Sequence, residues 1–356
     1  MQALARYWTD EYDWRKCEAR LNTYPQFITE IDGLDIHFVH VRSKHEDALP
    51  LIVCHGWPGS FIEQLKIVDL LTDPTAHGGS AADAFHVVIP NMPGYGFSGK
   101  PMTTGWGADR IGRAWVELMK RLGYTQFVAA GGDWGGIVVD VMAGGRDAPS
   151  SPEPAPPELL GIHTTFAGVV PPAIDKAIQT GTALPSDLSD DERRTSELLA
   201  SAYHYAGQAE MAWHPQTLFG LADSPVALAA WLVDHDPVSY KTLIAPAFVD
   251  GREGGLTRDD ILDNITLFWL TNTGVSSGRL YWEYKGSWAA VKNVTVPVAV
   301  SVFPTTSSRL RRAGRSRRTP TSCTTTRSIA AGTSPPGRFL SCMPPSCVKG
   351  SGRSGR

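Results

Sequence analysis

From residue 34 to 166 the chain alternates short apolar runs with amphipathic ones, and that alternation limits the folds open to it. LDIHFVHV (34–41), LPLIVCHG (49–56), FHVVIPN (85–91), QFVAAGG (126–132) and GIHTTF (161–166) read as strands. FIEQLKIVDLL (61–71), a run ending near Leu122 and a segment opening at Trp134 read as helices. Short buried strands separated by helices predict an α/β core over 31–169, a mostly parallel sheet with helices on both faces. The Pro- and Ser-rich stretch 148–157 is a loop within that pattern. The strand signal then stops, and 170–285 reads as an inserted helical lid whose clearest members are SPVALAAWLVDH (224–235) and TRDDILDNITLFWL (257–270). Thr257 followed by Asp259 and Asp260 marks a capped helix start, with Leu262, Ile265 and Trp269 at helical spacing. TVPVAVSVF (295–303) returns to the sheet within 286–304, and residues 1–30, with Trp8, Tyr12, Trp14, Leu21 and Tyr24, form an amphipathic arm laid against the body.

No apolar run approaches the roughly 20 residues a membrane helix needs. The start, MQALARYWTDEYDWRKCEARLN, is charged and lacks the apolar middle of a signal peptide, so a cytoplasmic protein without membrane contacts is expected. The five cysteines show no metal-ligand spacing; reduced thiols, no metal and no cofactor are the expectation. Charge is distributed unevenly. Residues 305–356 hold eleven of the 33 Lys and Arg and no Asp or Glu, leaving 22 basic against 36 acidic residues before them. Composition alone would make this tail a basic arm for nucleic acid or membrane.

The segment richest in chemistry is QFVAAGGDWGG (126–136), an apolar strand running through glycines into an apolar helix. A nucleophile on a tight strand-to-helix turn needs small neighbours, and Gly131, Gly132, Gly135 and Gly136 supply them around Asp133. Taken alone, Asp133 reads first as a helix N-cap, and the segments that follow reverse that preference. His55-Gly56-Trp57-Pro58-Gly59-Ser60 also follows an apolar strand, where a backbone N–H could face a developing oxyanion; the amides of Trp57 and Trp134 are the candidates. His55 reads as part of that turn and not as a base. NMPGYGFSGKP (91–101) adds a Gly- and Pro-rich loop after the next strand.

Together YDWRKCEARLN, IDGLDIHFVHVRS, HGWPGS, PGYGFSGKP, RLGYTQFVAAGGDWGG, DSPVALAAWL and LDNITLFWLTNTGVSSGRLYWE resemble the microsomal-type epoxide hydrolases, over most of residues 5 to 304. The resemblance implies an α/β-hydrolase fold and a two-step hydrolysis. Asp133 would open the epoxide to a covalent ester, lid tyrosines would hydrogen-bond its oxygen, and a His–acid pair would activate water to release a diol. Tyr281 in SSGRLYWE matches one lid tyrosine; the other falls near Tyr203 or Tyr205, with Tyr205 the candidate second donor. The implied partner is a small apolar or aromatic epoxide, the implied setting detoxification and aromatic hydrocarbon catabolism, and oligomeric state is left open.

The sequence departs from that family at its end. The family's acid lies just after the Phe-Pro found here as Phe303-Pro304, and its histidine sits in a Gly-Gly-His-Phe segment. No histidine follows His235 and no acid follows Glu283, so the general base is absent; His163, His204, His214 and His235 all precede the return strand. Read one frame over, the codon junctions of Ala330–Arg338 permit Gly-Gly-His-Phe-Ala-Ala-Trp-Glu, and those of Ala313–Arg317 permit Trp-Ala-Glu-Arg. The expectation is a frameshift close to codon 305 and an out-of-frame, disordered tail over 305–356, so that no nucleic-acid or membrane partner is expected of it. Two other readings stand beside an impaired epoxide hydrolase: a haloalkane dehalogenase, which shares the Asp nucleophile, and a catalytically inert product.

Overall fold

Along a strand, alternate side chains go to opposite faces. In Leu49–Cys54 (β3), Ile52 and Cys54 join one buried cluster and Leu51 and Val53 another, so this strand is covered on both sides. The computed structural model describes residues 1–145, 154–165, 171–203, 206–234, 239–251, 256–285, 294, 296–302 and 325–327. Its other described strands are Gln26–Ile31 (β1), Leu34–Val41 (β2), Phe85–Pro90 (β4), Phe127–Gly131 (β5), Leu159–Thr164 (β6), Val298–Val302 (β7) and Thr325–Arg327 (β8). They form one sheet in the order β1-β2-β4-β3-β5-β6-β7-β8. The β1–β2 and β2–β4 pairings are antiparallel; from β4 to β8 every pairing is parallel.

The helices Ala108–Arg121 and Trp134–Met142 cover one face through Ile111, Trp115, Leu118, Ile137 and Val138. Phe61, Ile62, Leu65, Val68 and Leu71 cover the other. The single helix expected over 61–71 is instead Phe61–Gln64, a 3-10 turn Leu65–Ile67, and Val68–Thr72. Two β-branched residues, Ile67 and Val68, which are poor helix formers, stand at the last junction.

Residues 1–30 are more than an arm. They form two helices, Gln2–Asp10 and Trp14–Leu21, the second capped by the Asp13 carboxylate, and then most of β1. Asp32 and Gly33, at φ 53° and 78°, turn β1 back into β2, as an Asp-Gly hairpin requires. The arm seats on the lid helix Arg258–Thr271: the Tyr7 hydroxyl donates to Asp259 Oδ1 at 2.8 Å, Tyr12 to Asp263 Oδ1 at 2.8 Å, and Arg20 Nη2 to Asp263 Oδ2 at 2.9 Å. The lid helix itself starts on a reciprocal Thr257–Asp260 capping box.

Across 170–285 most of the described residues are helical, including Pro172–Thr180, Asp190–Tyr203, Ala206–Trp213, Pro225–Val233 and Gly274–Glu283. Among the described residues no helix is long and apolar enough to cross a membrane. In the stretch 305–356 only Thr325–Arg327 are described. They lie parallel on the outer edge of β7 and so depart, at these three residues, from the patternless tail expected there. Two threonines favour extended backbone, and the β7 edge offers unpaired amides and carbonyls to a passing segment. The codon junctions invoked for a frameshift lie outside the described residues.

Candidate active site

β5 ends at Gly131, and Asp133 follows at φ 49° and ψ −128°, a backbone that a residue with a side chain adopts only under constraint. The constraint is close approach. A Cβ on Gly131 would overlap the Gly135 carbonyl, and one on Gly135 would overlap the Cys54 carbonyl at the end of β3. Only glycine lets the strand, the turn and the helix Trp134–Met142 meet this tightly.

Asp133 stands at the N-cap position, yet its side chain makes no capping hydrogen bond. Its Oδ1 instead accepts the backbone N–H of Trp57 at 2.8 Å. This separates the two readings of Asp133: the carboxylate is held across the gap by the HGWPGS turn, not spent on its own helix. Trp57 is therefore one of the two predicted amides found at the site. Trp134 is the first residue of the helix, where a backbone N–H has no intrahelical acceptor. Gly56 is forced small by the same arrangement, since a Cβ there would lie 2.5 Å from Asp133 Cβ and 2.6 Å from its Oδ1.

Tyr281, on the helix Gly274–Glu283, is buried between the rings that flank the nucleophile position. Its ring meets Trp57 edge to face at 5.7 Å between centroids and Trp134 at 4.9 Å. The lid is tied to the core loops around it. Trp57 Nε1 donates to Ser277 Oγ at 3.2 Å, Ser276 Oγ to the Gly94 carbonyl at 2.7 Å, and Asn264 Nδ2 to the Pro58 carbonyl at 2.6 Å. Tyr203 ends a described helix and Tyr205 lies outside the described residues, so the second donor is not located. His204 and His235 also lie outside them.

His55 serves the turn. The Met92 backbone N–H donates to its Nε2 at 3.1 Å, its Nδ1 donates to the Gly56 carbonyl at 3.1 Å, and burial lowers its pKa to about 4, which keeps it neutral. His163, on β6, lines the cavity beside Asp133; its Nε2 lies 2.9 Å from Ser301 Oγ, and burial likewise lowers it to about 4.

That cavity, about 430 Å³, has Leu51, Val53, Ile67 and Leu71 as apolar wall and Asp133, Glu63, His163 and Cys54 as its ionisable groups. Two residues here escape sequence reasoning. Glu63, three after Ser60, has the spacing of a capping box, but Ser60 caps through the Ile62 amide and the Glu63 carboxylate turns toward Gly59. The Glu63 side chain is exposed to the cavity; partial desolvation by the surrounding protein pushes its carboxyl above the ordinary range, with the Asp133 charge adding to the rise and the neighbouring Gln64 side chain and Gly56 amide opposing it. Tyr95, in the PGYG loop, buries a hydroxyl that meets no hydrogen-bond partner among the described residues, and its pKa is driven well above the ordinary value first by burial and then by the Asp133 charge. Among the described residues no cluster of His, Cys, Asp and Glu is suited to a metal ion.

A family model described as the epoxide hydrolase N terminus matches residues 1–64, and one for the alpha/beta hydrolase fold matches residues 50–149. A protein of Stigmatella aurantiaca that carries the epoxide hydrolase name is 46% identical over 310 residues, covering 85% of this chain and 64% of that protein. Epoxide hydrolase 1 of Oryctolagus cuniculus is 35% identical over 326 residues, covering 85% of this chain and 69% of the relative. This chain thus spans about two thirds of the length of these relatives. Among solved structures, juvenile hormone epoxide hydrolase from the silkworm Bombyx mori superposes with a TM-score of 0.71 at 27% identity, covering 96% of this chain and 78% of that one. The Aspergillus niger epoxide hydrolase gives 0.69 at 27% identity, covering 90% and 76%.

Proposed function

This chain belongs to the epoxide hydrolase family of the α/β-hydrolase fold, and from that premise we propose that it opens an epoxide by attack of the Asp133 carboxylate to form an ester on the route to a vicinal diol. One observation carries the reading: Asp133 is held at a strained apex with its carboxylate on the Trp57 amide and off its own helix. A carboxylate held this way faces the ligand space at little further ordering cost, which is what a nucleophile requires.

In the attack step an Asp133 oxygen bonds to an epoxide carbon, the C–O bond of the ring breaks, and the freed oxygen takes the Tyr281 hydroxyl proton. The rings of Trp57 and Trp134 hold the Tyr281 ring edge to face beside the nucleophile's turn. The Leu51, Val53, Ile67 and Leu71 wall supports a small apolar or aromatic epoxide as substrate, and with it a role in detoxification or aromatic hydrocarbon catabolism. For release, the family's acid and histidine do not occur in this sequence where the resemblance puts them, and we propose that the ester outlives its formation. The test pairs a styrene-type epoxide with a haloalkane of similar size. Consumption of the epoxide with slow diol formation and no halide release supports the proposal; halide release would move the chain to dehalogenation of the same Asp133 type.

A further inference from the structure

The attack step uses Asp133, Trp57 and Tyr281 and leaves one ionisable carboxyl in the site without a task. Glu63 shares the cavity with Asp133, and the cavity has room for several waters. Its carboxylate is brought there by the same turn that holds the nucleophile: a Cβ on Gly59 would lie 2.5 Å from Glu63 Oε1, just as one on Gly56 would lie 2.6 Å from Asp133 Oδ1. The two carboxyls flank opposite ends of the Gly56–Gly59 segment and sense each other's charge.

We propose that Glu63 takes the proton from the water that cleaves the Asp133 ester. The inference rests on the epoxide-opening reading above. The water oxygen bonds to Asp133 Cγ while one water proton passes to a Glu63 oxygen; the bond from Cγ to the alkyl oxygen then breaks, and the leaving alkoxide takes that proton from Glu63. The second water proton restores the Tyr281 hydroxyl, so epoxide plus water gives diol and the protein is unchanged. The other groups on the cavity are poorer acceptors. His163 has its Nε2 against Ser301 Oγ, and Cys54 is buried, its thiol raised far above the ordinary range chiefly by desolvation. A carboxylate raised above its ordinary range is a stronger base than a free one, and Glu63 stands where the cavity water can reach it. Esterification of Asp133 removes the neighbouring negative charge, which favours ionised Glu63 when a base is needed.

The experiment follows a styrene-type epoxide adduct by intact mass, measuring formation and decay separately from pH 5.5 to 8.5. In the unaltered chain decay should rise with pH along a limb centred below 7, because the ester lacks the Asp133 charge that helps raise Glu63. Glu63→Gln should erase that limb and lower the ratio of decay to formation at least tenfold, and Glu63→Asp should keep part of the limb. Decay that is flat with pH in the unaltered chain, or unchanged in Glu63→Gln, overturns the role of Glu63 and leaves Asp133 attack standing. Loss of the limb in His163→Gln with its retention in Glu63→Gln also overturns it. If the unaltered chain forms no adduct at all, the epoxide-opening reading and this inference fall together.

Discussion

The backbone N–H of Trp57 points at Asp133 Oδ1 across 2.8 Å, bridging two segments 76 residues apart in sequence. That bond requires the Gly56 backbone to pass directly beside the Asp133 side chain. Gly56→Ala should therefore push the carboxylate off the amide, because its methyl would sit 2.5 Å from Asp133 Cβ. Adduct formation with an aryl epoxide should fall by about a hundredfold, measured on samples whose circular dichroism matches the unaltered chain. Unchanged formation would mean that the Trp57–Asp133 bond does not position the nucleophile.

Tyr281→Phe keeps the ring between Trp57 and Trp134 and removes only the hydroxyl. Adduct formation should slow by roughly a hundredfold, while the urea unfolding midpoint moves little, since the edge-to-face packing survives. A large loss of stability with normal formation would make Tyr281 a packing residue.

Buried histidines set an acid limit to stability. Burial lowers His37, His40, His55 and His163 to about 4. Below the unfolded histidine value, about 6.5, the unfolded chain binds protons that the folded chain refuses, so stability should be full above pH 6.5 and fall toward pH 4, by up to about 1.4 kcal/mol per pH unit for each histidine. Glu63 opposes this trend, because its raised pKa makes the folded state take up a proton as pH falls through 7. Denaturant titrations at stepped pH check the balance, and His40→Gln should reduce the acid slope by one proton's worth. A stability that is flat from pH 6.5 to 4 would contradict the burial of these rings.

The arm is bound to the lid helix through charge. Tyr12→Phe removes the donor to Asp263 Oδ1 and leaves a buried carboxylate with Arg20 as its remaining strong partner. The expected loss is about 1–3 kcal/mol of unfolding free energy. In a double-mutant cycle with Asp263→Asn the two losses should be strongly non-additive; simple additivity would mean that the hydrogen bond contributes nothing.

What could be read from the sequence was what depends on near neighbours. The glycines around Asp133, the HGWPGS turn and the Thr257 cap each encode their geometry within a few residues, and all appear where their spacing places them. The α/β alternation placed the sheet for the same reason. β1 was hidden because Gln26–Ile31 is an outer strand with Thr29 and Glu30 in it and half its residues exposed, although Asp32-Gly33 was a usable hairpin signal. Glu63 was hidden because its role depends on how the Gly56–Gly59 turn folds back over the helix start, and Ser60-x-x-Glu63 reads first as a cap. Tyr95 carries no local pattern at all; only the assembled loop buries its hydroxyl within range of Asp133. Tyr205, proposed from the resemblance, falls outside the described residues.

The measurement closest to the central claim is the site of covalent attachment. Incubated with a small aryl epoxide, the folded chain should gain the mass of one epoxide on the peptide that contains Asp133, and Asp133→Asn should gain none. A well-folded sample that gains no mass after long incubation would contradict Asp133 as the nucleophile, and so would mass gained on Cys54, Cys323, Cys342 or Cys347 and retained in Asp133→Asn.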